Sequence, residues 1–274
     1  MSTAVATWIN GPVLRARPEG VFRLRESVTV GEQRLLGEVI RIATDSITIQ
    51  LYEDTSGLRP GVLVTGSGRL LSIRVGPGLL GRIFDGLLRP IADPSDPYVT
   101  PGLREAEAGR FHFSPELAVG APLGAGATLG TIGTTTGMAQ RCLAPPDLPT
   151  GIVAEIAEAG IYGEDEPVCR VRTRDGAAHP IAMSHHWPVR LPRPVTERLP
   201  ADEPMLTGQR VIDCLFPVAR GGTGAIPGGF GTGKTVLLET IAKWCNADVI
   251  VYVGCGERGN ELAGLLAEFT ELED

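Results

Sequence analysis

Lysine is nearly absent. Of the 25 basic residues, 23 are arginine and two, Lys234 and Lys243, are lysine. Long apolar runs are missing too. The longest clean one near the end is Val249 to Val253, far short of the ~20 residues that span a bilayer as a helix. The start, MSTAVATWINGPVLRARPEG, has no basic stretch followed by an apolar one, so no secretory signal is expected and any link to a membrane runs through partners. Five cysteines (Cys142, Cys169, Cys214, Cys245, Cys255) form no CxxC pair. That argues against a disulfide framework or zinc ribbon and for reduced thiols in a cytoplasm. The four histidines follow no metal-ligand spacing; His185-His186 is the nearest approach and reads as turn or surface residues. Aromatics are sparse, with Trp8, Phe22 and Tyr52 the only ones before Gly76, and the net charge is −7. A nucleic-acid-binding face with stacking platforms is not expected on such a chain.

What is present falls into blocks. Residues 1–75 read as short strands: Leu35 to Ile42, then Ser46 to Leu51, where Ile47, Ile49 and Leu51 alternate with Thr48 and Gln50. Turn-formers separate the runs at "EDTSGLRPG" and "GSG", which suggests a small closed barrel. "GPGLLGRIFDGLLRPI" (76–91) has helical apolar spacing cut short by glycine. Residues 109–189 are rich in Gly and Val. Their "VGAPLGAGATLGTIGTTTG" does not fit GxGxxG and reads as turn-rich β structure; with no lysine there, a lipoyl- or biotinyl-type hairpin is excluded. "WPVRLPRPVTERLPADEP" (187–204) predicts an extended linker. From there the pattern turns α/β. A helix is expected over Thr235 to Cys245 and ends at Asn246. A buried parallel strand is expected over Val249 to Val253, beside the strand that leads into Gly228. A second helix would carry Leu262, Leu265, Leu266 and Phe269.

The sharpest feature is "GGFGTGKTVLLE". Gly228, Gly233, Lys234 and Thr235 satisfy GxxxxGK[ST], with strand expected before and helix after. Glycines let backbone N–H groups turn inward as an anion nest, and the helix N-terminus adds partial positive charge. The loop Gly228, Gly229, Phe230, Gly231, Thr232, Gly233, Lys234, Thr235 and Val236 is the candidate nucleotide site. Lys234 would reach the β- and γ-phosphates, where one charge contact at about 4 Å and an effective dielectric near 20 gives roughly 4 kcal/mol before desolvation. A compact ammonium fits between phosphates where a planar guanidinium does not. The Thr235 hydroxyl would face Mg²⁺. Past the next expected strand, "GCGERGNE" places Glu257 and Arg258 at the sheet edge where ligands bind. On spacing alone, Glu257 either polarises an attacking water or complements a helix N-terminus.

"AIPGGFGTGKT", "KWCNADVIVYVGCGERGNEL", "LYEDTSGLRPG", "GPGLLGRIFDGLLRPI", "WPVRLPRPV" and "DEPMLTGQRVIDCLFPVARGGTGAIPG" together resemble the catalytic A subunit of the A/V-type rotary ATPases, from Asn10-Gly11 onward. The 111 residues between Pro90 and Asp202 fit that family's large insertion and are too many for the F-type β subunit, the flagellar ATPase or the Rho helicase. The resemblance implies a multi-domain fold: an N-terminal small β-barrel (1–75), the start of a nucleotide-binding domain (76–108), a β-rich insertion (109–189), and an incomplete P-loop α/β domain with a parallel sheet (190–274). It implies ATP/ADP and Mg²⁺ as ligands, with Glu257 activating the hydrolytic water and Arg258 beside the γ-phosphate. The implied partners are the B subunit in an alternating A3B3 hexamer, with central and peripheral stalks; the membrane rotor is reached only indirectly, and no nucleic acid is involved. The place would be the cytoplasmic side of the cell membrane. One departure is expected to matter. A strand ending in the Asp that organises Mg²⁺ should follow the GERGNE segment and is absent from the 274 residues. The chain therefore reads as the N-terminal half of such a catalytic subunit, able to cradle phosphates but not to complete a turnover alone. A non-catalytic, partner-binding fragment of the same family is the alternative.

Overall fold

The computed structural model describes residues 2–91, 101–102, 108–133, 137–195, 197–229, 231–256 and 264. The chain divides into two compact units, Met1–Pro194 and Val195–Asp274.

The first unit begins with a closed barrel of six antiparallel strands: β1 (Thr3–Asn10), β2 (Val13–Pro18), β3 (Glu26–Val30), β4 (Leu35–Ile42), β5 (Ile47–Leu51) and β6 (Leu63–Leu70). Their order is β1-β2-β5-β4-β3-β6, with β6 returning to β1. Closure removes the unpaired edge that an open sheet would present. β5 shows why the sequence folds this way. Ile47, Ile49 and Leu51 are buried while Gln50 is exposed, the period-2 pattern of a strand with one face on a core. Those residues join Leu14, Val28, Val30, Leu35, Val39 and Val64 inside the barrel. At Gly37 on β4 the packing leaves no room for a side chain: a Cβ would lie 2.9 Å from the Gln50 carbonyl oxygen and from Ile49.

After β7 (Ser72–Val75) comes a correction. Residues 76–91 form no α-helix, only one 3₁₀ turn at Pro77–Leu79 and a tight turn closed by a bridge between Phe84 and Pro90. The physical reason is competition for backbone donors. Asp85 Oδ1 accepts from the N–H groups of Leu87 (2.9 Å) and Arg89 (2.8 Å), and Leu88 takes φ +58°, so the helical ladder cannot propagate.

The insertion is all β among its described residues: β8 (Arg110–Pro115), β9 (Pro122–Leu123), β10 (Thr128–Gly133), β11 (Ala139–Leu143), β12 (Gly151–Ile156), β13 (Gly160–Gly163), β14 (Pro167–Thr173) and β15 (Ala178–Ala182). They make two four-stranded sheets, β11-β10-β8-β13 and β15-β14-β12-β9, which share a core of Phe113, Leu129, Ile132, Val153, Val171 and Ile181. The Gly-rich stretch near residue 124 thus supplies strands and turns, as expected. Cys142 and Cys169 lie in this core; burial pushes their thiols up to about 12 and about 11, so neither is a nucleophile at neutral pH. All five cysteines are free. β16 (His185–Pro188) pairs with β7, so the stretch expected to be linker begins as a paired strand.

Buried carboxylates clamp this unit together. Glu164 accepts hydrogen bonds from the N–H groups of Gly78 (3.1 Å) and Gly109 (3.3 Å) and pairs with Arg74 at 3.0 Å. Glu38 accepts from Tyr52 Oη at 2.6 Å and from Arg190 Nε and Nη2 at 3.0 and 2.6 Å. Glu53 ties Arg89 to the N–H groups of Leu36 and Gly102.

The second unit is sparser. β17 (Pro204–Met205) pairs antiparallel with β18 (Val218–Ala219), and the described residues include the helices α1 (Arg210–Leu215) and α2 (Lys234–Trp244). The helix expected from Thr235 is α2. The parallel strand is not found: Val249 to Val253 joins no ladder, and Val251 and Val253 are 81% and 77% exposed. A parallel strand needs hydrogen-bonded neighbours on its edges and helices on its faces. No strand is paired with this run among the described residues. The expected second helix, with Leu262, Leu265, Leu266 and Phe269, lies outside the described residues.

Candidate functional site

The phosphate loop is built from backbone outward. Gly231 and Gly233 take φ +73° and +82°, the left-handed region that costs a residue with Cβ about 1–2 kcal/mol. Gly228 is fixed by space instead, because a Cβ there would stand 2.6 Å from Thr232 Oγ1. Thr232 Oγ1 donates to the Gly229 carbonyl at 2.9 Å and closes the turn.

Gly233 is also the N-cap of α2, and among the described residues no side chain caps that helix. The first hydrogen bond of the helix runs from Leu237 N to Gly233 O at 3.0 Å. Helix geometry therefore leaves the N–H groups of Lys234, Thr235 and Val236 without an intrahelical acceptor. Uncapped donors at the positive end of a macrodipole are what an anion needs. Lys234 adds a full charge at the same place: its Nζ donates to the carbonyls of Gly228 and, at 3.2 Å, Gly229. At the other end Lys243 sits in the last turn, where a cation complements the dipole.

The far end of α2 is tied to residues 206–208. Asn246 N donates to Leu206 O at 3.0 Å, and Leu206 N donates to Asn246 Oδ1 at 3.0 Å. Gly208, at φ +78°, lets the chain pass so close that a Cβ would lie 2.7 Å from Trp244 Cβ. Thr207, buried, donates to Asp213 Oδ1 at 2.7 Å and its N–H does so at 2.9 Å; this hydroxyl holds the Asp213 carboxyl below the usual carboxylate range.

The residues predicted from the sequence divide cleanly. Gly228, Gly229, Gly231, Thr232, Gly233, Lys234, Thr235 and Val236 lie along one loop and the first turn of α2. Phe230, Glu257 and Arg258 lie outside the described residues. For a divalent cation, this stretch offers the Thr235 hydroxyl. Among the described residues no group of three or more His, Cys, Asp or Glu is arranged to hold a metal. No helix among them is long and apolar enough to cross a membrane. Sequence reasoning missed the buried side chains of Glu38, Glu53 and Glu164; only Glu38 lies within a run of buried strand residues, the one local signal available.

Comparison with known proteins decides the family. Residues 7–68 match the model of the ATP synthase alpha/beta family, beta-barrel domain. Residues 103–190 match that of the ATP synthase alpha/beta subunit barrel-sandwich domain. Residues 208–273 match that of the ATP synthase alpha/beta family, nucleotide-binding domain. The chain belongs to the ATP synthase alpha/beta family. Within that family it is 44% identical to the A subunit of the A-type ATP synthase of Thermofilum pendens, over 97% of this chain and 45% of that protein. The corresponding A-type protein of Methanopyrus kandleri is 44% identical over 97% of this chain and 46% of its own length. The V-type ATP synthase alpha chain of Thermoanaerobacter pseudethanolicus is 43% identical over 100% and 47%. The chain thus spans about half the length of the curated relatives it matches.

Proposed function

We propose that this chain is the barrel, insertion and phosphate-loop portion of the catalytic A subunit of a rotary A/V-type ATP synthase, and that it binds ATP and ADP through Gly228 to Val236. The observation that carries the reading is the uncapped start of α2, with Lys234 on the same loop. The domain division that goes with it is 1–75, 76–108, 109–189 and 190–274.

In this reading the N–H groups of the loop and of α2's first turn hold the phosphate oxygens. Lys234 leaves the loop carbonyls for the β- and γ-phosphates, exchanging neutral acceptors for charged ones that bind about twice as strongly. Thr235 supplies a hydroxyl to Mg²⁺, whose chemistry when bound is to neutralise charge on the β- and γ-oxygens. Glu257 orients the attacking water and accepts its proton, and Arg258 balances charge beside the γ-phosphate. The remaining parts of the machine are the B subunit, interleaved with the catalytic one in an A3B3 hexamer, and central and peripheral stalks that couple ATP turnover to ion movement. The complex would sit on the cytoplasmic face of the cell membrane.

Calorimetric titration with Mg·ATP, of this chain and of its Lys234→Ala variant, tests the site. Hydrogen bonds to charged groups contribute about 1.5–3 kcal/mol each, so affinity should fall roughly 10- to 150-fold in the variant. Equal affinity in both proteins would refute the assignment.

A further inference from the structure

The last residues of the first unit double back on the strand they leave. Val189 N donates to Leu71 O at 3.0 Å and Leu191 N to Pro188 O at 3.2 Å, so the chain turns just past β16. His185 and Trp187 stand two apart on that strand and therefore share a face. Residues 191–193 return over this face. Trp187 Nε1 donates to Leu191 O at 2.8 Å. The Arg193 guanidinium carbon lies 5.1 Å from the Trp187 ring centre, and Arg193 Nη1 lies 3.0 Å from His185 Nε2.

Residues 189–193 thus form a strap with two anchors of different chemistry. At one, Arg190 donates to both oxygens of Glu38 and, at 3.3 Å, to Tyr52 Oη. At the other, Arg193 meets an imidazole. A guanidinium has no acceptor and keeps its proton, so Arg193 donates in that contact and His185 Nε2 must offer its lone pair. The contact requires a neutral His185. Protonation sets an N–H against an N–H, and positive charge against positive charge, across 3.0 Å.

We propose that His185 is the proton-sensitive catch of this strap: protonation releases Arg193 and frees residues 191–193, while Arg190 holds its place on the barrel. The charges around His185 set where the catch opens. Burial is the largest influence and opposes protonation; among the described residues Arg193 and His186 oppose it as well, and Asp147, on the loop after β11, favours it. From β7 the residue opposite is Val75, and the neighbouring Arg74 is paired with Glu164 and Asp165. The balance keeps His185 below its usual 6.5. Arg190 holds the Glu38 carboxyl below its usual 4.5, so that anchor stays closed through the mildly acidic range in which a histidine titrates.

The test is an NMR titration of the full chain from about pH 7.5 to about 5, the range in which histidine changes charge. It is read at the His185 ring and at the Trp187 indole N–H, whose acceptor lies on the strap. The Trp187 signal should shift with the same midpoint as the His185 ring, below 6.5. In His185→Gln, whose amide oxygen can still accept from Arg193, the Trp187 signal should keep its neutral-pH position throughout. In Arg193→Gln the His185 midpoint should rise toward 6.5, and most of the Trp187 shift should be lost. The indole signals of Trp8 and Trp244 show that each variant is folded. A Trp187 shift that survives in full in Arg193→Gln would come from the imidazolium alone, without the strap, and would overturn the proposal. So would a Trp187 signal that does not move, an equal shift in His185→Gln, or an unchanged His185 midpoint in Arg193→Gln.

Discussion

Replacing Glu164 by alanine should be among the most damaging single changes in the first unit. The side chain is 2% exposed and receives three hydrogen-bonding groups from three places in the chain. Arg74 would keep Asp165 at 2.8 Å, but the N–H groups of Gly78 and Gly109 would lose their carboxylate acceptor. Breaking a buried pair costs about 3–5 kcal/mol, because the surviving partners stay desolvated without compensation. For a cooperative unit of this size, 1 kcal/mol moves the melting temperature by about 2–4 °C, so the expected drop is roughly 6–20 °C. Asp165→Ala removes a carboxylate from the same arginine but at a site 50% exposed. Exposed pairs are worth about 0–1 kcal/mol, and its hydrogen bond from Ser184 adds about 1 kcal/mol. Differential scanning calorimetry of the two variants decides the matter. Equal losses would show that burial of Glu164 is not what makes the clamp costly to break.

Two pH-dependent outcomes follow from the same kind of argument. Arg190 is the largest influence holding the Glu38 carboxyl below its usual 4.5, against burial, which raises it. The folded pKa is depressed, so this stabilisation is present above the unfolded value and lost as pH falls through the folded one. Arg190→Gln should shift acid unfolding, followed by circular dichroism, to higher pH; an unchanged midpoint would contradict the pairing. His185 is held below 6.5 by burial first and then by Arg193, whose Nη1 lies 3.0 Å from His185 Nε2. The unfolded chain then takes up a proton that the folded chain resists, so stability should decline as pH drops from 6.5 toward the folded pKa. His185→Gln should flatten that decline in denaturant titrations; the same slope in both proteins would exclude His185 as its source.

The sequence was most legible where one short stretch determines its own conformation. β5 carries its alternation on its face, and the Gly228–Thr235 loop specifies its turns through glycines whose φ angles or crowding demand them. Residues 76–91 misled because apolar spacing suggests a helix whatever the backbone donors do. The Asp85 side chain took those donors, and no periodicity reports that. The carboxylate clamps were illegible for another reason. Glu38 meets Arg190, 152 positions away, and a sequence read locally has no way to pair them. The apolar run Val249 to Val253 suits a buried strand, but composition records only what a segment tolerates on its faces. Pairing depends on neighbours that the segment does not itself encode.

This difference sets what the second unit specifies by itself. α2 has 11 residues and none of them is buried; an isolated helix of that length is marginal in water. Its C-terminal end is clasped, where Asn246 and Leu206 exchange two hydrogen bonds and Gly208 closes against Trp244. At the N-terminal end, no side chain among the described residues caps the helix. An anion that satisfies the first-turn N–H groups adds stabilisation at that end, so phosphate binding and helix order are linked: each favours the other by the same free energy. Phosphate recognition needs only the loop, the lysine and the first turn. In the proposed reading, phosphate binding therefore draws on about a dozen consecutive residues, the loop and the first turn of α2.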